Sequence, residues 1–193
     1  MIAAPERIAT PRLILSRITP GDAPEAFAAY AADPAVTRFL SWSPAAAAAD
    51  VARHFAAASA AWDAGRLFTW SLRLAESGGL IGMADARVDA YMLNISYVIG
   101  RRHWNRGYAT EAAEALCAWG EGEADVARIW AVCAADNRAS ARVLEKAGLV
   151  REGTLRRWAA LPNCGGALRD FVCYARACNA SPPATAAQVE GCG

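Results

Sequence analysis

Residues 99–113 constrain the fold of this chain more than any other stretch. An apolar, partly alternating run ends at Ile99 and is followed by a basic loop with Arg101, Arg102 and Arg106. Gly107 then opens a segment whose apolar residues Ala109, Ala112, Ala113, Leu116 and Trp119 keep helical spacing. A strand that feeds a helix through a short loop must bury both against one core, so this part of the chain reads as mixed α/β. The junction also carries chemistry. The first turn of a helix has backbone N–H groups without intrahelical partners and the positive end of the helix dipole. Phosphate oxygens suit both. Gly107 lets a ligand come close to the backbone, Ala109 keeps the next position small, Thr110 offers a hydroxyl and Arg106 a charge. A glycine that merely ends a loop gives the same pattern. No Gly-Lys-Ser/Thr follows, so the loop is not a P-loop, and the first glycine of the dinucleotide fingerprint is absent.

The flanking sequence fills out the arrangement. Residues 12–18 read as a first strand, and Thr19-Pro20-Gly21-Asp22 opens a helix through about Ala32, stopped by Asp33-Pro34. Ser43-Pro44 starts an alanine-rich helix that reaches Ala64 and ends at Gly65. Strands are expected at 67–74, 80–88 and 93–99, then a helix at 107–121, a strand at 127–134 and a helix capped by Asp136-Asn137 that runs to Lys146. Two strands, 149–157 and 168–177, complete the order. A central mixed sheet with flanking helices follows, and the late strand–helix–strand unit favours a parallel pair in mid-sheet. Residues 1–178 are expected to form one domain, because 193 residues are few for two. Residues 179–193, small, polar and proline-containing, read as a flexible tail.

Composition narrows the function classes. A net charge of +1 gives no support for nucleic-acid binding. The alanine-rich runs are interrupted by Asp50, Arg53, His54 and Asp63, which leaves no apolar stretch of the roughly 20 residues a spanning helix needs. The first residues lack a basic start and an apolar run, so a signal peptide is not expected and a cytoplasmic location is. The six cysteines form no C-x-x-C pair and the two histidines, His54 and His103, are far apart, so no metal site is expected.

A second constellation follows the strand at 127–134. Asn137 and Ser140, three residues apart near a helix start, share one face of that helix; either Asp136 or Asn137 alone would read as an N-cap. The runs RRHWNRGYATEA and DNRASARVLEKAGLVREG, with TPRLILSRIT at the first strand, resemble the GNAT acetyltransferases. The nearest branch is that of the ribosomal-protein alanine and serine N-terminal acetyltransferases, and the likeness spans about residues 10–177. It implies a mostly antiparallel mixed sheet splayed near its middle, with acetyl-CoA in the gap as co-substrate and a primary amine as acceptor. It implies that Val98, Ile99 and Gly100 offer backbone groups to the pantetheine arm, and that Asn105, Arg106, Gly107, Tyr108, Ala109 and Thr110 wrap the pyrophosphate. Asn137 would hydrogen-bond the donor, and Ser140 would stand near its sulfur and protonate the departing thiolate. Phe39 and Trp42, in a Phe-Leu-Ser-Trp-Ser-Pro segment, and Trp158 are the candidates beside the acceptor.

The sequence departs from that pattern where a base would be expected. The strand before the loop commonly reads Glu-x-Gly-Tyr in relatives, and here it reads Asn94-Ile95-Ser96-Tyr97. Asp85 and Glu152 are weaker candidates for the base, and Tyr97 and Tyr174 for the acid. A peptide α-amino group, with an ordinary pKa near 8, is partly neutral at pH 7 and needs less help than a lysine amine. A peptide N-terminus or a small-molecule amine are both open as acceptors. A CoA-binding module without catalysis and a succinyl donor met by Arg156 or Arg157 are the competing readings. The apolar late strands would suit a homodimer or an internal core equally.

Overall fold

The computed structural model describes residues 2–178, so the expected tail lies outside the described residues. Eight strands form one sheet: β1 (Arg7–Ala9), β2 (Leu13–Arg17), β3 (Leu67–Leu74), β4 (Leu80–Asp89), β5 (Met92–Ile99), β6 (Arg128–Ala134), β7 (Val150–Ala160) and β8 (Leu168–Ala177). Their order is β1-β2-β3-β4-β5-β6-β8-β7, and every neighbouring pair is antiparallel except β5 and β6. The mixed, mostly antiparallel sheet with one parallel pair in mid-sheet is the expected one. The short edge strand β1 was not foreseen, since three residues carry no readable period.

Helices cover both faces. The long helix α3 (Ala48–Asp63) and the short α1 (Ala23–Ala26) and α2 (Pro34–Thr37) lie on one side; α4 (Tyr108–Gly122) and α5 (Arg138–Lys146) lie on the other. Strand parity divides the core accordingly. Met83 of β4 and Val98 of β5 pack with Tyr30, Val51 and Phe55, while Ile95 and Ile99 turn to the opposite face with Ala112, Ala113 and Leu116 of α4. Two helices differ from expectation. The first is broken: after α1 the chain takes a wider π turn at Phe27–Ala31, which seats Tyr30 in the core at 2% exposure. Ser43-Pro44 does not cap the alanine-rich helix, which begins at Ala48, where Asp50 Oδ2 accepts from the Ala47 N–H at 3.1 Å. An acidic residue in the first turn answers the free amides better than a serine four residues upstream.

The sheet opens where its one parallel pair gives out. β5 and β6 pair only at Met92↔Arg128, Leu93↔Ile129 and Asn94↔Trp130, and from Ile95 and Ala131 onward they are unpaired with each other. β4 is irregular beside this place: its register against β3 slips between Leu72 and Arg73. A side chain at Gly82 would put its Cβ 2.1 Å from the Val98 carbonyl oxygen, so only glycine fits there. The result is a cleft between the upper halves of β5 and β6.

Candidate active site

The edge of β5 that faces the cleft follows from the ladder on its other side. Gly100 donates its N–H to the Ile81 carbonyl at 2.8 Å, and bonded pairs alternate along an antiparallel ladder. Val98 and Ser96 therefore spend their amides on β4, and Tyr97 and Ile99 turn theirs to the cleft. Val98, Ile99 and Gly100 thus stand at the cleft rim, with Ile99 and Tyr97 presenting the open groups. Gly100 is needed for packing as well, because a Cβ there would lie 2.5 Å from the Ala29 carbonyl oxygen.

Above the rim the loop is held by side chains. Trp104 Nε1 donates to the Ile99 carbonyl at 2.7 Å. Asn105 and Gly107 both take left-handed backbone, at φ 60° and 81°. The first intrahelical bond of α4 runs from the Glu111 N–H to the Gly107 carbonyl at 3.0 Å, so the amides of Tyr108, Ala109 and Thr110 have no partner within the helix. Arg102 and Arg106 are exposed beside them. The local charge is positive enough that His103, already pushed down by burial, is held further below the usual imidazole range by Arg106 and Arg102. An open concavity of about 430 Å³ adjoins this turn, lined by Arg12, Gly107, Thr110, Glu111, Glu114 and Lys146.

The clamp behind the turn was not foreseen from the sequence. Glu111 Oε1 accepts from the Thr10 hydroxyl at 2.6 Å and the Arg12 N–H at 2.8 Å, and its Oε2 pairs with Arg12 Nε at 2.7 Å. Arg12 Nη1 then donates to the Arg106 carbonyl at 2.9 Å, and its guanidinium lies 4.9 Å from the Tyr108 ring centre. The start of β2 thereby fixes the carbonyl side of the loop and leaves its amides pointing outward.

Ser140 closes the cleft on the α4–α5 side. Its hydroxyl is 3.0 Å from the Tyr97 hydroxyl, which also donates to the Ser140 carbonyl at 3.2 Å, so the contact joins β5 to the first turn of α5. Burial holds the Tyr97 phenol above its usual range despite the Ser140 bond, so it keeps its proton. The Cys133 thiol of β6 also hydrogen-bonds Ser140, and burial raises it to about 11, so it too stays protonated. Asn137 is the N-cap of α5: its Oδ1 accepts from the Ser140 N–H at 3.2 Å, which leaves its Nδ2 for another partner.

On the opposite face the segment after α2 roofs the cleft. Phe39 packs with Ala134, Leu161 and Phe171 on the β6–β8 side, and Trp42 packs with the cluster of Met83 and Val98 on the β4–β5 side. Asn163, in the connection between β7 and β8, pins this roof: its Nδ2 donates to the carbonyls of Thr37 at 2.7 Å and Trp42 at 2.8 Å. Trp158 is half exposed at 52%, in a bulge of β7 where Arg157 takes φ 48° and whose flanking Leu155 and Ala159 pack in the same cluster as Phe39. Arg156 pairs with Asp170 at 3.2 Å. Glu152 is exposed on edge strand β7, where hydrogen bonds from Arg128 hold its carboxyl below the usual range. Tyr174 is turned to Glu145 at 3.4 Å. Among the described residues no group of three His, Cys, Asp or Glu side chains could hold a metal ion, and no helix is long and apolar enough to cross a membrane.

Known proteins with this arrangement agree in kind. Residues 12–150 match the acetyltransferase (GNAT) domain. YoaA of Bacillus subtilis strain 168, an uncharacterized N-acetyltransferase, is 31% identical over 152 residues, which is 77% of this chain and 85% of that protein. YkkB of the same organism is 36% identical over 87 residues; that match spans 45% of this chain and about half (51%) of YkkB. Among solved structures, the RimL ribosomal L7/L12 α-N-protein acetyltransferase in complex with coenzyme A superposes with a TM-score of 0.81 at 18% identity, over 91% of this chain and 100% of that one. At that identity the likeness is one of fold. The splayed sheet, the free amides at the start of α4 and the match over residues 12–150 lead to one conclusion: the chain belongs to the GNAT acetyltransferase family.

Proposed function

We propose that this protein is an N-acetyltransferase that takes acetyl-CoA as donor and a primary amine, most simply the N-terminus of a peptide, as acceptor. The observation that carries this reading is the pairing of two open backbone sets: the cleft-facing edge of β5 and the three unpartnered amides of Tyr108, Ala109 and Thr110. The first set matches the amides of a pantetheine arm, and the second matches a pyrophosphate. Arg106 adds charge to the phosphate end, and the free Nδ2 of Asn137 faces the same donor. Trp104 already occupies the Ile99 carbonyl, so the Ile99 N–H is the group free to polarise the thioester carbonyl. Ser140, tied to a protonated Tyr97, supplies the proton for the thiolate. Phe39 and Trp42 roof the acceptor side.

Placement in the branch of the ribosomal-protein N-terminal acetyltransferases rests on the resemblance of the runs RRHWNRGYATEA and DNRASARVLEKAGLVREG. The test measures thiol release from acetyl-CoA and from succinyl-CoA, with mass spectrometry of the acceptors. Peptides beginning with Ala or Ser, spermidine and glucosamine are offered in parallel. Acetyl transfer to the peptide N-termini is expected. Calorimetric binding of CoA without release for any amine would leave a binding module instead.

A further inference from the structure

The site described above lacks a group to take the proton from the incoming ammonium. Position 94, where relatives commonly carry a carboxylate, is Asn94, and its Nδ2 is occupied by the Trp130 carbonyl at 3.2 Å. Glu152 is committed to Arg128 on the far edge of the sheet. Among the described residues, Asp85 is the carboxylate that stands on the acceptor face beside the cleft. Asp85 of β4 stands directly opposite Ser96 of β5, two residues beyond Asn94 on the same face, and Ser96 donates its hydroxyl to Asp85 Oδ2 at 3.1 Å. Met83 and Val98, the next residues of each strand on that face, belong to the cluster against which Trp42 packs. Ser96 is the second residue of β5 past the last pair with β6, so the Asp85–Ser96 pair lies at the bottom of the splay.

We propose that Asp85 is the general base, acting on the acceptor directly or through the Ser96 hydroxyl, and so replaces on β4 the carboxylate missing from β5. This rests on the acetyltransferase reading above. Two protons leave the ammonium as its nitrogen bonds to the thioester carbon. Asp85 takes the first and passes it to solvent. The second accompanies breakage of the C–S bond and reaches the thiolate through Ser140, leaving an amide and CoA thiol.

The surroundings suit that work. Asp85 is enclosed by protein on most sides yet keeps some contact with solvent, as a group on the floor of a recess does. Desolvation pushes its carboxyl above the usual range, against the Thr69 and Ser96 hydroxyls and the more distant charges of His54 on α3 and Arg87 on β4. The buried Tyr30 hydroxyl, from the π turn, has no hydrogen-bond partner among the described residues, and its own proton is held more tightly by burial first and then by the nearby Asp85 and Asp22. A carboxylate raised in this way is a better proton acceptor near neutral pH. Burying it also costs stability, as expected of a group kept for function.

The test compares wild type with Asp85→Asn, using an Ala-initiated pentapeptide and, separately, hydroxylamine, which is already neutral at pH 7. With the peptide the variant should be slower by about 100-fold at pH 7, within the ~10²–10⁴ typical of a general base. The gap should close above pH 9, where an α-amine is already neutral. With hydroxylamine the two enzymes should agree within a few-fold. CoA affinity should be unchanged, and the melting temperature equal or higher at pH 7–8. A peptide rate within a few-fold of wild type at pH 7, or an equal loss at every pH and for both nucleophiles, would overturn the assignment. A wild type that binds CoA and turns over neither nucleophile would overturn the acetyltransferase reading itself, and the base with it.

Discussion

Glu111 offers the sharpest test of how the phosphate-facing turn is built. It is nearly buried, at 11% side-chain exposure, and accepts from three donors: Thr10 hydroxyl, Arg12 N–H and Arg12 Nε. Hydrogen bonds to a charged acceptor contribute about 1.5–3 kcal/mol each when buried. Arg12 is half exposed at 51%, so its ion pair is discounted to well under ~1 kcal/mol. Glu111→Ala should then cost about 2–3 kcal/mol, and a chain of this size loses roughly 2–4 °C per kcal/mol, giving a fall of about 4–12 °C. CoA affinity should weaken by on the order of tenfold, ~1.4 kcal/mol, because Arg12 no longer holds the Arg106 carbonyl. Acid should erase the difference. Burial alone would raise the Glu111 carboxyl, but the bonds from Thr10 and Arg12 prevail and hold it below its ordinary range. A depressed carboxyl contributes stability that is complete above its unfolded pKa, near 4.3, and is lost as pH falls through the lower folded value. The stability gap between wild type and Glu111→Gln should therefore be constant from pH 6 to 8 and narrow below about pH 4. Differential scanning fluorimetry with and without CoA reads both effects. Unchanged melting and CoA affinity in Glu111→Ala, or a gap that persists undiminished in acid, would refute the clamp.

Gly107→Ala places a Cβ 3.3 Å from Arg12 Nη2 at φ 81°, and should cost about 1–2 kcal/mol and weaken CoA binding by calorimetry. Ser140→Ala should lower turnover by about 10- to 100-fold with little change in CoA affinity; unchanged turnover would remove it as the thiolate's acid. Asn163→Ala frees the roof from the β7–β8 connection, so the acceptor KM should rise while CoA affinity holds. Glu152→Gln should leave peptide acetylation within a few-fold of wild type, since Glu152 is bound to Arg128 away from the cleft.

Local pattern made the donor side readable. The alternation of β5, the glycine at the turn and the helical spacing of α4 all fall within residues 92–122, and each is a short-range signal. The same holds for Asn137 and Ser140, three residues apart. What the sequence hid were contacts between remote segments. Thr10 meets Glu111 across 101 residues, and Asn163 meets Thr37 across 126, with no shared motif to announce either. The two N-terminal helical segments depart from their pattern for a different reason: alanine-rich runs have too little side-chain bulk to mark a face, so the π turn at Phe27–Ala31 in the first and the late start at Ala48 in the second leave no trace in the sequence.

Asp85 and Glu152 show why residue type alone could not choose a base. In the sequence both are isolated carboxylates on strands. The fold gives each a different neighbour, and the neighbour sets the chemistry. Arg128 holds Glu152 ionised and occupied at the rim of the sheet, so it has little appetite for a proton. On β4, burial beneath the apolar layer of α1 and α3 makes the Asp85 carboxyl reluctant to carry charge, and it prevails over the Thr69 and Ser96 hydroxyls, which favour the charged form. Only strand parity puts that reluctance to use, because it aims Asp85 to the side of the sheet where Trp42 and Phe39 roof the cleft, opposite Ser140. A proton acceptor on one face and a proton donor on the other is the division that amide formation from an ammonium and a thioester requires, since the two protons leave toward different partners.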